Sequence, residues 1–342
     1  MNLRPLTSIL CLFFVLQTQS QVWDFDTVDF SDADKRALAN KGASLDDLQG
    51  LVYNLTKDLK TDAERFRSIY MWVCNNVKND YGLYAKNKRK RKRYQEDSLK
   101  LEAWNDKFKK RIFKTLLRRK RTICTGYAYI VQTLSQLANI DCRIINGFGK
   151  TSTGDIEDYK YPNHSWNAVK LNDKWYLCDP TWASGVQDIN NGRFVFNYNN
   201  GLFLASPELF AINHFPLEEH WFLFDNTKPT FKEFLEAPIV YNDAYQLFAK
   251  HIQPLKLYNI VPVDFNINFE YLLKPNSNPK KITLLIDDGI NSKTVRPDTI
   301  AFDRLKLKLT YTLKKRGQYD IHLKIDGQLV ATYVYKVIRP RN

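Results

Sequence analysis

Residues 163–182 read NHSWNAVKLNDKWYLCDPTW, and this stretch decides how the chain folds. Two runs rich in strand-forming residues flank Asn172-Asp173, which predicts a β-hairpin with a two-residue turn. Side chains alternate along a strand, so the turn fixes which residues share a face. His164 and Asp179 are predicted to lie on the same face of the hairpin, as diagonal neighbours whose polar side chains can reach each other. The hairpin therefore predicts contact between an imidazole and a carboxylate.

A thiol that could use this pair is Cys124, which opens the segment CTGYAYIVQTLSQLAN at residues 124–139. Apolar residues recur in this segment at helical spacing, so Cys124 is predicted to lie in the first turn of a helix. Helix N-termini stabilise a thiolate, and their free N–H groups can receive the oxyanion of a tetrahedral intermediate. Gly126 would allow another part of the backbone to approach closely.

These three residues are sufficient for acyl transfer. The thiol of Cys124 would attack a carbonyl carbon, His164 would move the proton, and Asp179 would fix the tautomer of the imidazole. The sequence therefore indicates an enzyme with a Cys-His-Asp triad. A protein that keeps the triad without activity is the alternative.

The other cysteines and histidines are interpreted as structural. The cysteines are too few and too irregularly spaced for a disulfide framework or a zinc site, so we predict neither a metal nor a cofactor. Cys74 belongs to an apolar helical stripe, and Cys178 points to the face opposite His164. A disulfide between Cys142 and Cys178 stays open as an alternative in an oxidising compartment. The histidines interpreted in this way are His214, His220, His251 and His322.

Three motifs, in this order, resemble the transglutaminase-like superfamily: YMWVCNNVKNDY at 70–81, CTGYA at 124–128 and the hairpin at 163–182. The stretch FLASPELFAINHFPLEEHWFLF at 203–224 is similar to the segment that follows the triad in the kyphoscoliosis-peptidase-like branch. The resemblance covers roughly residues 48–240. It implies an α+β fold of the papain and transglutaminase type, in which a helix bearing the cysteine packs on an antiparallel sheet.

The resemblance also assigns Cys124 as nucleophile, His164 as base and Asp179 as orienting acid. It assigns no side chain that would donate to the oxyanion. The candidates by residue type, each interpreted as a packing residue, are Trp72, Trp104 and Trp166. The implied reaction is cleavage of an amide bond in a protein or peptide substrate through a thioester. Protein cross-linking is the alternative, because the two reactions differ only in whether water or an amine attacks that thioester.

Three regions are expected along the chain. Residues 1–20 have an apolar run from Ile9 to Leu16, which is typical of a signal peptide cleaved after about Ser20. We therefore predict export to the periplasm or the extracellular space, with an uncleaved membrane anchor as the alternative. Residues 21–245 would form the transglutaminase-like domain. Residues 250–342, with short alternating runs, would form an immunoglobulin-like β-sandwich.

The positive charge is concentrated in one segment. Residues 86–121 carry seventeen Lys or Arg against four Asp or Glu, which is most of the net charge of +14. Apolar residues at loosely helical intervals predict a basic helical insertion here. The segment from Lys86 to Arg121 could contact an anionic envelope polymer or surface, whereas export argues against nucleic acid as a partner. A solvated helical face is the alternative, and the sequence predicts no oligomeric state.

Overall fold

The computed structural model describes residues 24–152, 154, 159–188 and 190–339. The predicted signal peptide at residues 1–20 lies outside the described residues. Within the described ranges, no helix combines the length and the apolar character needed to cross a bilayer. Helices and strands are mixed along the chain, in agreement with the predicted α+β class.

Helices dominate the N-terminal part. They are α1 (Ser31–Ala39), α2 (Leu48–Thr56), α3 (Asp62–Asn76), α4 (Tyr81–Arg93), α5 (Ser98–Arg119) and α6 (Cys124–Leu137), with a short parallel pair of strands, β1 (Lys78–Asn79) and β2 (Arg121–Thr122). A capping box between Thr61 and Glu64 starts α3. Helix α3 packs against α6, and Trp72 and Tyr127 from the two helices are fully buried. This pair of helices forms the layer that carries Cys124.

A four-stranded antiparallel sheet lies against α6. The elements of this part are β3 (Cys142–Gly149), β4 (His164–Leu171), β5 (Lys174–Cys178), α7 (Pro180–Ser184), β6 (Gly185–Gln187), β7 (Phe194–Phe196), α8 (Pro207–Phe210) and β8 (His214–Pro216). The sheet has the order β5-β4-β3-β8, while β6 and β7 form a separate hairpin. The predicted arrangement of a cysteine-bearing helix on an antiparallel sheet is therefore present.

The hairpin predicted around Asn172-Asp173 is confirmed. Leu171 pairs with Lys174, and the two turn residues have φ angles of 48° and 62°. Two successive residues in the left-handed region are what the preferred two-residue hairpin turn requires, and Asn and Asp tolerate that region well. The strand ends at Cys178, so Asp179 is not a strand residue but the N-cap of α7.

Strands make up the C-terminal part. After α9 (Phe231–Glu236), the elements are β9 (Ile239–Val240), α10 (Ala244–Leu247), β10 (Phe248–Gln253), β11 (Tyr258–Pro262), β12 (Asn266–Leu273), β13 (Ile282–Asp287), β14 (Ser292–Val295), β15 (Thr299–Asp303), β16 (Lys306–Thr312), β17 (Gly317–Ile325) and β18 (Gln328–Ile338). One sheet has the order β10-β12-β16-β15, and the other β11-β18-β17-β13-β14 with β9 also on β18. Phe269 and Tyr271 of the first sheet contact Tyr333 of the second. The predicted alternating runs therefore form two packed sheets.

The two parts of the chain are in direct contact. Strand β9 already pairs with β18 of the C-terminal sheet. Lys250 of β10 donates to the carboxylate of Glu208 in α8 at 2.7 Å. Buried side chains of both parts belong to one continuous core.

The basic segment is a helical hairpin, formed by α4 and α5. Its first helix begins at Tyr81, five residues before the predicted insertion, because Asp80 caps it by accepting from the N–H of Leu83. The small apolar core of the hairpin consists of Leu83, Phe108, Ile112 and Ile123. Helices cover most of residues 86–121, and the hairpin ends shortly before the cysteine-bearing helix.

Candidate active site

Cys124 is the first residue of α6, as predicted. The preceding residue, Ile123, has no side chain that could accept a hydrogen bond, so no side chain at the N-cap covers the first turn, although Gly126 N–H donates to Ile123 O at 2.9 Å. Gly126 permits this tight start, because a Cβ at this position would collide with the side chain of Thr122. The cysteine is nearly buried, with 7% of its surface exposed.

His164 contacts Asp179, as the hairpin predicts. The His164 Nε2 atom lies 2.7 Å from Asp179 Oδ2. The other carboxylate oxygen, Oδ1, accepts the backbone N–H groups of Thr181 at 2.8 Å and Trp182 at 3.1 Å, at the start of α7. Gly149 leaves space for the imidazole, since a Cβ there would lie 2.9 Å from the Cβ of His164. The backbone of α7 therefore holds the Asp179 carboxylate in the orientation in which it contacts the imidazole of His164.

The side chains of Cys124 and His164 interact, and each shifts the pKa of the other. Because Nε2 is engaged by Asp179, Nδ1 is the ring nitrogen left for the thiol. Burial favours the neutral thiol, but the hydrogen bond and the charge of His164, together with the N–H of Ser165, outweigh burial and lower the pKa of Cys124. Burial also opposes the imidazolium, yet Asp179 and then Cys124 raise the pKa of His164 to about 10. Both shifts favour a thiolate and an imidazolium over the neutral pair.

Asp179 has a second histidine partner that the sequence analysis missed. His214 Nε2 lies 3.0 Å from Asp179 Oδ2, and the His214 side chain is fully buried. Burial would raise the pKa of Asp179, but the charge and hydrogen bond of His164, followed by those of His214, hold this pKa well below its usual range. The stretch around His214 was noted for its resemblance, but nothing in it marked the histidine as a partner of the triad.

His164, Asp179 and His214 also bring three possible metal-ligand atoms within 4.8 Å of one another. Imidazole and carboxylate groups are suitable ligands for zinc. Here both imidazoles face the same carboxylate oxygen at hydrogen-bond distances, and the other oxygen is occupied by the backbone of α7. Hydrogen bonds account for the cluster, which is a polar network centred on the carboxylate.

Trp182 covers the imidazole of His164. Their ring centroids are 4.7 Å apart and their planes differ by 20°. Trp182 follows Asp179 closely in DPTW, but no pattern in the sequence marks it as a neighbour of His164. A stacked indole excludes water from one face of the imidazole and so protects its hydrogen bond to the carboxylate.

The three tryptophans considered as oxyanion donors do not face the cavity beside Cys124. Trp72 and Trp104 donate their indole N–H groups to a backbone carbonyl and to an asparagine side chain. Trp166 is 1% exposed, and none of the three lines the cavity beside Cys124. The backbone N–H groups at the start of α6 are therefore the candidate oxyanion donors.

A cavity of about 550 Å³ adjoins the thiol. Cys124 and His164 line one side, and the α4–α5 hairpin forms the opposite wall. Among the lining residues that the structure describes there are four cationic side chains and no carboxylate; the cations are Lys88, Arg91, Lys92 and Lys109. The basic segment thus forms part of the cavity that a substrate would enter.

Two hydrogen bonds connect the hairpin to the loop before His164. Arg91 Nη1 donates to Pro162 O at 2.8 Å, and Tyr161 Oη donates to Gln95 O at 3.0 Å. These bonds bring the end of α4 close to the histidine-bearing strand. Two walls of the cavity, the α4–α5 hairpin and the loop before His164, are therefore hydrogen-bonded to each other.

The remaining cysteines of the described chain are buried free thiols, so the alternative disulfide between Cys142 and Cys178 is not formed. Burial raises the pKa of Cys142 to about 12 and moves those of Cys74 and Cys178 well above their usual range. Cys124 is the cysteine whose pKa moves down.

Residues 49–180 match the family model described as the transglutaminase-like superfamily. The chain is similar to the kyphoscoliosis peptidase of Homo sapiens, with 32% identity over 177 residues, which is 51% of this chain and 24% of that protein. The Mus musculus protein of the same name gives 32% over 178 residues, 51% of this chain and 24% of that protein. Hillarin of Drosophila melanogaster is 24% identical over 231 residues, 63% of this chain and 25% of that protein. The match therefore spans about a quarter of the length of these relatives.

Proposed function

Because this chain belongs to the transglutaminase-like superfamily through residues 49–180, we propose that it is a cysteine enzyme that hydrolyses amide or peptide bonds. The observation that carries the proposal is the chain of contacts from Cys124 to His164 to Asp179. It supplies a lowered thiol pKa, a base with one nitrogen on the thiol, and a carboxylate on the other nitrogen. All three side chains are nine-tenths buried or more, so their mutual charges are weakly screened.

The proposed reaction has two stages. The Cys124 thiolate attacks the substrate carbonyl, and the oxyanion is received by N–H groups of the first turn of α6. The imidazolium of His164 then gives its Nδ1 proton to the departing amine, which leaves a thioester on Cys124. In the second stage, His164 takes a proton from water, the resulting hydroxide attacks the thioester, and the thiolate leaves. Asp179 holds the ring through Nε2 in both stages.

Hydrolysis is favoured over cross-linking by the relatives, two of which carry the name peptidase. Cross-linking would use the same thioester with an amine in place of water, and it is the second candidate. The two are separated by offering the enzyme a labelled primary amine together with a glutamine-containing peptide. Incorporation of the amine that exceeds hydrolysis and is lost in Cys124→Ala would reverse the assignment.

A thiol-directed probe tests the triad itself. We expect iodoacetamide near neutral pH to label Cys124 first, because only a thiolate reacts readily and the other described thiols have raised pKa values. Peptide mapping by mass spectrometry locates the label, and Cys124→Ala serves as the control. Faster labelling of Cys74 or Cys178 in the folded protein would support the third candidate, a catalytically silent binding or scaffold protein.

The cationic hairpin is proposed to capture an anionic polymer or surface near the cavity. Exposed charge contacts weaken as salt rises, so binding to polyglutamate, used as a probe, should be salt-sensitive. Changing Lys88, Arg89, Lys90, Lys92 and Arg93 to glutamine removes this charge and retains Arg91. The matched control neutralises Lys314, Lys315 and Arg316 in the C-terminal part. If both variants bind polyglutamate equally at low salt, the hairpin is only a solvated helical face and does not capture anionic polymers.

Two further proposals concern the rest of the chain. The composition of residues 1–20 supports export with cleavage after about Ser20, which N-terminal sequencing of the expressed protein tests. The two packed C-terminal sheets support an immunoglobulin-like module at residues 250–342. Such a module would dock or space the enzyme domain, and its removal would then lower binding to a partner before it lowered cleavage of a small substrate.

A further inference from the structure

His214 reaches the triad through tertiary pairing. Strand β8 places His214 beside Gly149 of β3, and β3 places Gly147 beside His164 of β4. The two histidines therefore come from strands on either side of β3, with ring centroids 5.5 Å apart. Both Nε2 atoms point at Asp179 Oδ2, at 2.7 Å from His164 and 3.0 Å from His214.

The protonation of His214 follows from its surroundings. Its ring is stacked on Phe210 at 3.6 Å and is fully buried, and its Nδ1 lies 3.2 Å from Phe210 O. Burial lowers the pKa of His214 to about 4, so the ring is neutral and carries one proton at pH 7. The contact to the carboxylate is shorter and charge-assisted, which places that proton on Nε2.

We propose that His214 is a positioning residue that acts through Asp179: its Nε2–H shares the Oδ2 atom with His164 and so limits how strongly the carboxylate holds the His164 proton. The inference rests on the proposed function, because it gives His214 a part in the same triad. A donor on Oδ2 withdraws part of the negative charge that His164 meets. Without it, His164 would face the full charge and would retain its proton to a higher pH.

The other charged or titratable groups around the pair are few among the described residues. Cys124 faces His164 from α6, and the charge of Asp179 acts on the buried thiols of Cys74 in α3 and Cys178 in β5. Burial raises the pKa of both thiols, which therefore stay neutral. The buried hydroxyls of Tyr70 in α3, Tyr127 in α6 and Tyr245 in α10 also feel the charge of Asp179, and their raised pKa values keep them protonated. His214 is thus the group that can modulate Asp179 from the side away from Cys124.

The experiment compares His214→Leu, which removes the donor, with His214→Gln, whose amide N–H can replace it at similar size. The His164 titration is followed in two ways. One is the pH dependence of Cys124 alkylation by iodoacetate, which falls when the imidazolium loses its charge. The other is the NMR titration of the His164 imidazole, which needs no reactive thiol. His251→Phe, in the C-terminal part, is the control for loss of a buried histidine.

We expect the His164 titration to move up by about one pH unit in His214→Leu, from the strength of one hydrogen bond to a charged group. His214→Gln should stay within about 0.3 unit of the wild type. An unshifted leucine variant overturns the inference, and so does an equal shift in both variants, which would indicate packing alone. If the leucine variant does not fold, a shifted glutamine variant still contradicts the proposal. An unreactive Cys124 in the wild type refutes the proposed function, while the NMR comparison still decides the role of His214.

Discussion

His164 and His251 are equally buried, each with 8% of its surface exposed, but their environments drive them in opposite directions. The pKa of His164 is raised to about 10, because Asp179 and Cys124 outweigh the effect of burial. The pKa of His251 is lowered to about 3 by burial, with a smaller contribution from Lys150. The partner of His251 is the hydroxyl of Tyr333, 2.8 Å away, which carries no charge. Burial alone therefore makes a histidine neutral, and a carboxylate is needed to keep a buried histidine charged.

The largest expected effect comes from removing that carboxylate charge. Asp179→Asn keeps a side-chain oxygen for the start of α7, so the fold should survive. The pKa of His164 should fall towards that of His251, and the thiolate of Cys124 should revert to a thiol at neutral pH. We expect alkylation at pH 7, and turnover of any substrate, to drop by roughly 100-fold or more.

Asp173→Asn is the matched control, because Asp173 lies in the turn of the same hairpin with its side chain 97% exposed. This control should alkylate like the wild type. If Asp179→Asn behaves like the control, a carboxylate is not what distinguishes His164 from His251.

The second prediction concerns stability in acid. His251 has a folded pKa of about 3, below its unfolded value of about 6.5, so it stabilises the fold above pH 6.5 and loses that contribution as the pH falls. His164 has the opposite sign, since its contribution is complete below its unfolded pKa and is lost as the pH rises through about 10. The wild type should lose unfolding free energy between pH 7 and pH 4.5. We expect this loss to be smaller in His251→Phe, by on the order of 2 kcal/mol.

Urea denaturation at the two pH values measures this change. His220→Gln provides the control, because the His220 side chain is 62% exposed. An identical pH slope for His251→Phe and the wild type would mean that His251 is not kept neutral by burial.

The smallest effect is expected from Tyr333→Phe. The Tyr333 hydroxyl lies between His251 at 2.8 Å and the hydroxyl of Tyr271 at 2.6 Å. Its loss should cost about 1 kcal/mol of unfolding free energy at pH 7, the usual value of a neutral hydrogen bond. Cys124 should alkylate as in the wild type. A change in that alkylation would mean that the polar cluster of the C-terminal sheets influences the triad.

The contact between His164 and Asp179 could be predicted because it depends on local geometry. Asn172-Asp173 specifies the turn, and the turn fixes the face on which each later residue lies. The helical start at Cys124 was equally local. Even here the sequence placed Asp179 on the strand, whereas Pro180 starts a helix that makes Asp179 its N-cap.

His214 could not be predicted in the same way. It lies 50 residues after His164, on a three-residue strand. The sequence around this strand indicates a family resemblance, but it does not indicate a contact with Asp179. Its position depends on pairing with β3, which no periodicity in the sequence specifies. The cavity wall was missed for a similar reason: the helices of the basic segment were evident, but not the hydrogen bonds from Arg91 and Tyr161 that fix them beside the thiol.

Gly149 bears on how a chain with these three residues could become inactive during evolution. Since any Cβ at this position would press on the atoms of His164 at 2.9 to 3.0 Å, even an alanine there would displace the imidazole. A related protein could thus retain the cysteine, the histidine and the aspartate and still lose activity through a single substitution of this glycine. When chains of this kind are sorted into enzymes and inactive relatives, the residue that aligns with Gly149 should be inspected together with the triad.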